Sequence, residues 1–372
     1  MGKPTVLPPK ALREVLVEFY RKNLFVLVPV IDQRDIALLD SSLLLQQAVY
    51  FAGSLTCHIP DSTPFSPEDI YCRIKTLLFL NHEKDPYVTL KALCLVGCWN
   101  SDAPQLVSLD SSWQWSGMAI RLALPLGLHR ANSSAYARSD QRCLRRIWWY
   151  LFDNDTLQSA CFGRPSMISI DDFDVPLPTP DDFDLPDMSA QVFCHLAKLC
   201  PLINGVHRQA IRRNTVAPDE IAKLLLNLQE WIAQLPSELQ LYDQQGSRKE
   251  YNRVVSELHV FYLACIVLIY LLPGTHRHTF LLCKTAIVAS SCVARLYESM
   301  LYREGRAAST LYPPMGKSRG GRPTDLLFDP LLQWRGRLPR GTGDYSFCVC
   351  ATEQKLTLYP HGSDKNQPIA AR

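Results

Sequence analysis

No two cysteines in this 372-residue chain are spaced as C-x-x-C. Thirteen cysteines are scattered along it instead, with Cys94 and Cys98 one helical turn apart and Cys348 and Cys350 separated by a single residue. Structural zinc needs closely spaced ligand pairs, so this spacing argues against a zinc module within the sequence. HExxH, GxSxG and GxGxxG are absent, which removes the motif-bearing metalloproteases, serine hydrolases and dinucleotide enzymes. Met315-Gly316-Lys317-Ser318 has the end of a phosphate loop, but Leu311 stands where the loop requires glycine. No run reads as a membrane span, and the longest apolar run, Val260–Leu272, is expected as a buried helix. The N-terminal MGKPTVLPPKALRE lacks the apolar core of a signal peptide, so the cysteines are expected as reduced thiols filling a core. Lys and Arg total 39 against 36 Asp and Glu, a net charge of +3 that leaves no electrostatic footprint for wrapping nucleic acid. Period-2 alternation is missing before residue 300, which argues against sheet.

What is present is helical periodicity. Apolar residues make up 47% and charged residues 20%, the balance of a globular chain with a sizeable core. Helices are predicted over Lys10–Leu24, from Ser41 or Ser42 to Leu55, from Ser66-Pro67 onward with a break at Asp85-Pro86, and over Tyr87–Trp99. Further helices are predicted over Met188–Arg213, Asp219–Gln234, Tyr251–Leu272 and Leu281–Met300. The fold class is therefore all-α, an array of antiparallel helices packed as one large domain over residues 1–302. From Arg303 the periodicity stops, and eight of the seventeen glycines fall in the last seventy residues. The Gly/Arg/Pro-rich stretch 303–372 is expected to lack a packed core.

The most informative stretch runs over residues 113–187. Its first helix carries an apolar stripe of Trp115, Met118, Ala119, Leu122 and Leu126, with Pro125 in the last turn. Gly127 is placed to end that helix in a left-handed turn, and His129 and Arg130 follow at its negative end. A second helix, capped by Ser139 or Asp140, has Leu144, Ile147, Trp148, Leu151 and Phe152 on its inner face. Asp155 falls on that same face, where a carboxylate is costly unless paired. The expected partner is Arg164 in Gly163-Arg164-Pro165, with Arg121 as second choice. Arg145, Arg146 and Trp149 are expected to point away, as a second contact surface or a solvated face with Arg145 over Trp149.

Gly127-Leu128-His129-Arg130, then Arg145-Arg146 with Trp148-Trp149 and Asp155, then Gly163-Arg164-Pro165, resemble the middle homology region of fungal-specific transcription factors. Weaker likeness extends through residues 19–32, 41–53 and 91–99, and Thr156 departs from the arginine the family often has there. The resemblance implies a nuclear regulatory and interaction domain controlling RNA polymerase II transcription through signal, ligand or partner contacts. It implies co-regulators or a zinc-cluster protein as partners, a possible homo- or heterodimer, DNA only indirectly, and no membrane. Zinc would belong to the family's N-terminal cluster, which these residues lack, and no cofactor, metal or catalytic residue is expected in this chain. Two other readings stand beside it, an all-α enzyme with a pocket between helices and a truncated, inactive regulator.

Seven aspartates fall in Asp171–Asp187, interleaved with Phe173, Val175, Phe183 and Leu185. Pro176, Pro178, Pro180 and Pro186 exclude the helix on which an Asp-rich magnesium motif would have to sit. The segment is expected to be an extended loop pinned to the core by its Phe and Val side chains; an acidic-aromatic activation segment is the competing reading.

Overall fold

The computed structural model describes residues 4–57, 59, 65–99, 108–131, 138–212, 215–272 and 284–309. Among them it is helical, with α1 at Lys10–Phe19 continued by a π-turn at Tyr20–Leu24, α2 at Gln33–Ala37 and α3 at Leu43–Ser54. Next come α4 at Pro67–Phe79, α5 at Pro86–Val96, α6 at Ser112–Ala123 and α7 at Arg138–Phe162. The series closes with α8 at Met188–Arg212, α9 at Pro218–Ala233, α10 at Arg253–Tyr270 and α11 at Lys284–Ser309. One contact between Tyr242 and Arg248 is the only β-type pairing among the described residues.

Local chemistry sets these boundaries. Ser42, Ser66, Ser111 and Asn252 each accept a hydrogen bond from the backbone amide three residues on, which satisfies a helix's free N-terminal donors. Asp85 caps α5, so Asp85-Pro86 both separates two helices and starts the second. The cap expected at Ser139 or Asp140 is corrected, since α7 already starts at Arg138 and both residues lie in its first turn. α11 continues to Ser309, past the expected boundary at 302, because Arg, Glu and Ala keep helical propensity after the apolar stripe ends. Residues 310–372, most of the Gly/Arg/Pro-rich stretch and the phosphate-loop-like tetrapeptide, lie outside the described residues.

α3 packs against α1, α4 and α5; α5 against α6; α6 against α7; and α7 against α8. α8 then meets α9 and α10, and α10 carries α11. The expectation that no segment reaches membrane length is corrected here. α10 has 18 residues at a mean hydropathy of 1.6, long and apolar enough by composition alone. It lies among α8, α9 and α11, and it buries Glu257 and His259. Arg253 pairs with Glu257 at 2.9 Å and His259 Nε2 meets the Leu239 carbonyl at 2.9 Å, so its polar groups are satisfied inside protein.

α6 corrects the predicted stripe by about one position. Met118 is 41% exposed, whereas Ser112, Trp115, Ser116, Gly117, Ala119, Ile120 and Ala123 are buried. A face of small residues lets α6 approach its neighbours closely, and Ser112 Oγ donates to the Gly97 carbonyl at the end of α5. Gln158 of α7 donates to Ser112 Oγ at 2.9 Å and to Ser116 Oγ at 3.3 Å. Packing and hydrogen bonds together select that face over the purely apolar one.

Candidate interaction site

α7 is buried on nearly every side, and this overturns the expected outward face. Arg146 is 1% exposed, Asp153 3% and Trp149 4%. The reason is coverage. α5 and α6 pack on one side, α8 on another, and the segment from 165 to 187 crosses the remainder as a strap.

Arg146 is the centre of a charged clasp. Its guanidinium donates to Asp32 Oδ1, to the Pro29 carbonyl at 2.9 Å and to the Asp182 carbonyl, and it lies 5.0 Å from the centre of the Phe183 ring. Arg145 Nη1 reaches both carboxylate oxygens of Asp182 at 2.8 and 3.1 Å. Asp182 also accepts the Thr179 amide at 2.8 Å, which fixes the turn that presents it. Beside Asp32, Asp35 caps α2 through the Asp32 amide at 2.7 Å and binds Lys91 Nζ at 2.7 Å. Three cations thus face three carboxylates, and the planar fork of arginine reaches three acceptors at once. Arg145 and Arg146 are corrected from a surface pair to the grip that joins α7, the strap and residues 29–35.

Asp32, Asp35 and Cys143 bring potential metal-ligand atoms within 4.8 Å of one another. Arg146 and Lys91 already neutralise the two carboxylates. Burial pushes the Cys143 thiol up to about 12, and its sulfur donates to the Val30 carbonyl at 3.6 Å. The donor chemistry fits an ion-pair cluster rather than a metal centre.

The strap is tied along its length. Asp174 accepts the Ala131 amide at 2.8 Å and donates its own amide to the His129 carbonyl at 3.3 Å. Trp149 Nε1 donates to the Pro176 carbonyl at 2.8 Å, Asp184 accepts the Gln33 amide at 2.7 Å, and Asp187 accepts the Ala190 amide at 3.0 Å. Phe173 inserts among Trp148, Trp149 and Phe152 with ring centres 5.4–5.5 Å apart. Phe183 sits between Phe25 and Phe193. Four of the seven aspartates therefore hold local structure, and the aromatic residues face inward.

The C-terminal half of α7 works differently. Gly127 and Gly163 have φ of +75° and +62°, and the amide of the residue after each reaches back five residues, Leu128 to Ala123 and Arg164 to Ser159 at 3.1 Å. That is the left-handed helix stop expected at Gly127, and Gly163 repeats it. The turn at 163 sends the chain back along the helix, where Asp155 Oδ2 accepts the amides of Met167 at 2.7 Å and Ile168 at 2.9 Å.

The expected Asp155 partner is thereby corrected, since neither Arg164 nor Arg121 forms an ion pair with it. Arg164 stacks its guanidinium on Trp113 at 5.2 Å and Phe162 at 4.9 Å, its carbonyl meets His207 Nε2 at 2.7 Å, and Pro165 is exposed. Arg121 is exposed on α6. His129 is half-buried with its ring 6.1 Å from Trp148, and Arg130 is exposed. Burial pushes the Asp155 carboxyl up to about 6, against the two amides that pull it down. Asp153 has the Cys200 thiol of α8 as its polar neighbour, and burial pushes its carboxyl well above the usual carboxylate range. Thr156, where the family often has arginine, is fully buried and accepts from Asn204 at 3.3 Å.

The residues that sequence reasoning missed are Asp32, Asp35, Lys91 and Asp182. Asp32-Gln33-Arg34-Asp35 is a capping-box spacing, which could have marked the start of α2 but not its partner on α7. An open depression of about 560 Å³ lies elsewhere, against Glu238, Lys249 and Asn252 near the start of α10.

Comparison with known proteins follows the same stretch of chain. Residues 18–254 match the family described as the fungal specific transcription factor domain. The chain is 34% identical over 229 residues to cutinase transcription factor 1 alpha of Fusarium vanettenii, covering 55% of this chain and 25% of that protein. It is 30% identical over 253 residues to the acetamidase regulatory protein of Aspergillus oryzae, covering 63% and 32%. It is also 30% identical over 209 residues to an uncharacterized transcriptional regulatory protein of Schizosaccharomyces pombe, covering 46% and 34%. The chain spans about a quarter to a third of the length of these relatives. No solved structure matches it.

Proposed function

Because the chain belongs to the family of fungal-specific transcription factor domains, we propose that it is the regulatory and interaction module of a transcription factor, acting in the nucleus. Its relatives are transcription regulators, and their names carry no reaction. The observation that supports the reading most directly is the Arg146 clasp, which joins α7, the strap and residues 29–35 through groups distant in sequence. Such a junction is bistable in principle, because its carboxylates and guanidinium are satisfied together or stranded together. A partner or ligand that binds one arrangement better shifts the module toward it. The module bears on RNA polymerase II transcription through co-regulators or a zinc-cluster protein, as a homo- or heterodimer, and meets DNA only through that partner. Zinc belongs to the partner's cluster in this reading.

The experiment tethers the full chain to an unrelated DNA-binding module upstream of a reporter in a fungal cell. The tethered chain is expected to change reporter output, and Arg145→Met, which loosens the strap at its half-exposed edge, is expected to change that output again. Output equal to that of the DNA-binding module alone, with the chain folded and nuclear, would reject the reading. Selection from a random oligonucleotide pool at physiological salt is expected to enrich no motif with the isolated chain.

A further inference from the structure

Three hydroxyl residues of this chain precede a proline, Thr63, Ser66 and Thr179. Thr63 lies outside the described residues, and Ser66 is engaged in capping α4, where its hydroxyl donates to the Asp69 carboxylate at 3.0 Å. Thr179 stands on the strap, exposed, with its hydroxyl against the clasp. Its backbone is extended, with φ of −121° and ψ of 160°, the conformation that a following proline favours. Pro176, Leu177, Pro180 and Asp181 around it are exposed as well, and Pro178 between them is buried. No helix or strand takes up residues 173–179. An exposed hydroxyl on an extended segment, followed by a residue with no N–H to satisfy, is what a proline-directed protein kinase can take into its cleft.

The contacts of that hydroxyl give its modification a consequence. Thr179 Oγ1 lies 3.4 Å from Asp182 Oδ2, the oxygen that also accepts the Thr179 amide at 2.8 Å. Arg145 Nη1 reaches the same oxygen at 3.1 Å and Asp182 Oδ1 at 2.8 Å. The two partners differ in freedom, since Arg145 is 28% exposed and Asp182 only 3%. A phosphate carries about −1.5 to −2 charges at neutral pH and three strong acceptor oxygens. On Thr179 it would stand against a buried carboxylate and compete with it for Arg145. A guanidinium forks onto phosphate as well as onto carboxylate, so Arg145 turns to the more highly charged group. Asp182 is then left beside a like charge, and its hold on the Thr179 amide, which closes the turn at Pro180–Asp182, is the contact that gives way.

We propose that Thr179 is a phosphorylation site for a proline-directed kinase, and that the phosphate opens the clasp by drawing Arg145 away from Asp182. The step moves the terminal phosphoryl group of ATP to Thr179 Oγ1. The bond from that phosphorus to the bridging oxygen breaks, the bond to Oγ1 forms, ADP leaves, and the hydroxyl proton passes to the kinase's base. The proposal rests on the reading of the clasp as a junction between two arrangements, and it names a covalent signal that shifts the junction.

The test uses the purified full chain under native conditions, ATP and a recombinant kinase of the mitogen-activated, proline-directed class. Site-resolved mass spectrometry is expected to find phosphate on Thr179, and Thr179→Val, close in shape and exposed, is expected to lose that phosphopeptide. A free peptide of residues 173–185 is the reference substrate. In the phosphorylated chain, amide exchange over residues 179–183 is expected to quicken at least about tenfold, because the Thr179 and Phe183 amides lose the acceptors they have in the closed turn. A chain that takes no phosphate on Thr179, whether or not the free peptide takes it, would overturn the site. Phosphate on Thr179 with exchange unchanged or slowed would overturn the opening of the clasp. Neither measurement involves transcription, so a failure here is told apart from a silent tethered reporter.

Discussion

The two halves of α7 bury charge in opposite ways. In the first half, the guanidinium groups of Arg145 and Arg146 are met by the carboxylates of Asp182 and Asp32. In the second half, Asp153 and Asp155 are as deeply buried as Arg146, but no cation pairs with either. Asp155 relies on two backbone amides and Asp153 has a thiol beside it, so burial raises both carboxyls. One helix thus holds fixed charges at its start and proton-dependent groups at its end. A buried charge persists where a counter-charge reaches it, and otherwise the proton moves.

Arg146→Met should break the first half outright. It strands Asp32 and leaves two buried carbonyls without their donor, for an expected loss of about 3–5 kcal/mol in denaturant melts. A loss below about 1 kcal/mol would mean that the clasp is solvated.

The second half should respond to pH. Asp155 has a folded-state pKa of about 6 against an ordinary 3.8, so the folded chain binds its proton more tightly than the unfolded chain does. Its stabilising contribution is fully present below about pH 4 and is lost as pH rises through about 6, on the order of 2–3 kcal/mol in total. Asp155→Asn keeps an oxygen for the two amides and removes the titration. The difference in stability between variant and wild type should therefore move in the variant's favour from pH 4 to pH 7. A difference that is flat with pH would show that Asp155 faces water.

Arg164→Met removes the stack on Trp113 and Phe162 and should cost about 0.5–2 kcal/mol in a thermal melt. Combined with Asp155→Asn, the two changes should add to within about 0.5 kcal/mol, since the groups do not touch through an ion pair. A coupling above about 1 kcal/mol would restore the pairing that spacing alone suggested.

Much of the fold was legible in the residues. The serine caps at Ser42 and Ser66, Pro67 and Pro86 at helix starts, and Gly127 at a helix end act within one turn, where sequence distance equals spatial distance. The buried place of Asp155 could be reasoned from 100° periodicity, but its partner could not. A guanidinium nine residues on is as near in sequence as an amide twelve residues on, and the path of the turn at Gly163 decides between them. Arg146 was misplaced for a related reason. Periodicity ranks the faces of a helix by hydrophobicity, yet α7 has no free face, and its charged side is covered by residues 114 positions earlier and 36 positions later. Met118 failed on the small-residue side. Serine and glycine score as polar, although they permit the close approach that buries α6.

The separation of those contacts also sets a clock for synthesis. Asp32 meets Arg146 across 114 residues, and the Gln33 amide meets Asp184 across 151. Helices α1 to α6 emerge first, with Asp32 and the apolar strip at Val26–Ile31 still uncovered by α7 and the strap. At ordinary elongation rates of about 5–20 residues per second, the strap follows Asp32 by roughly 8–30 s. Loop closure over such distances is slow compared with helix formation, so the nascent chain spends that interval with helices made and their junction open. Chaperone capture of the nascent chain is therefore expected to map to residues 26–35 and to end when the ribosome has passed Asp187 by the length of its exit tunnel.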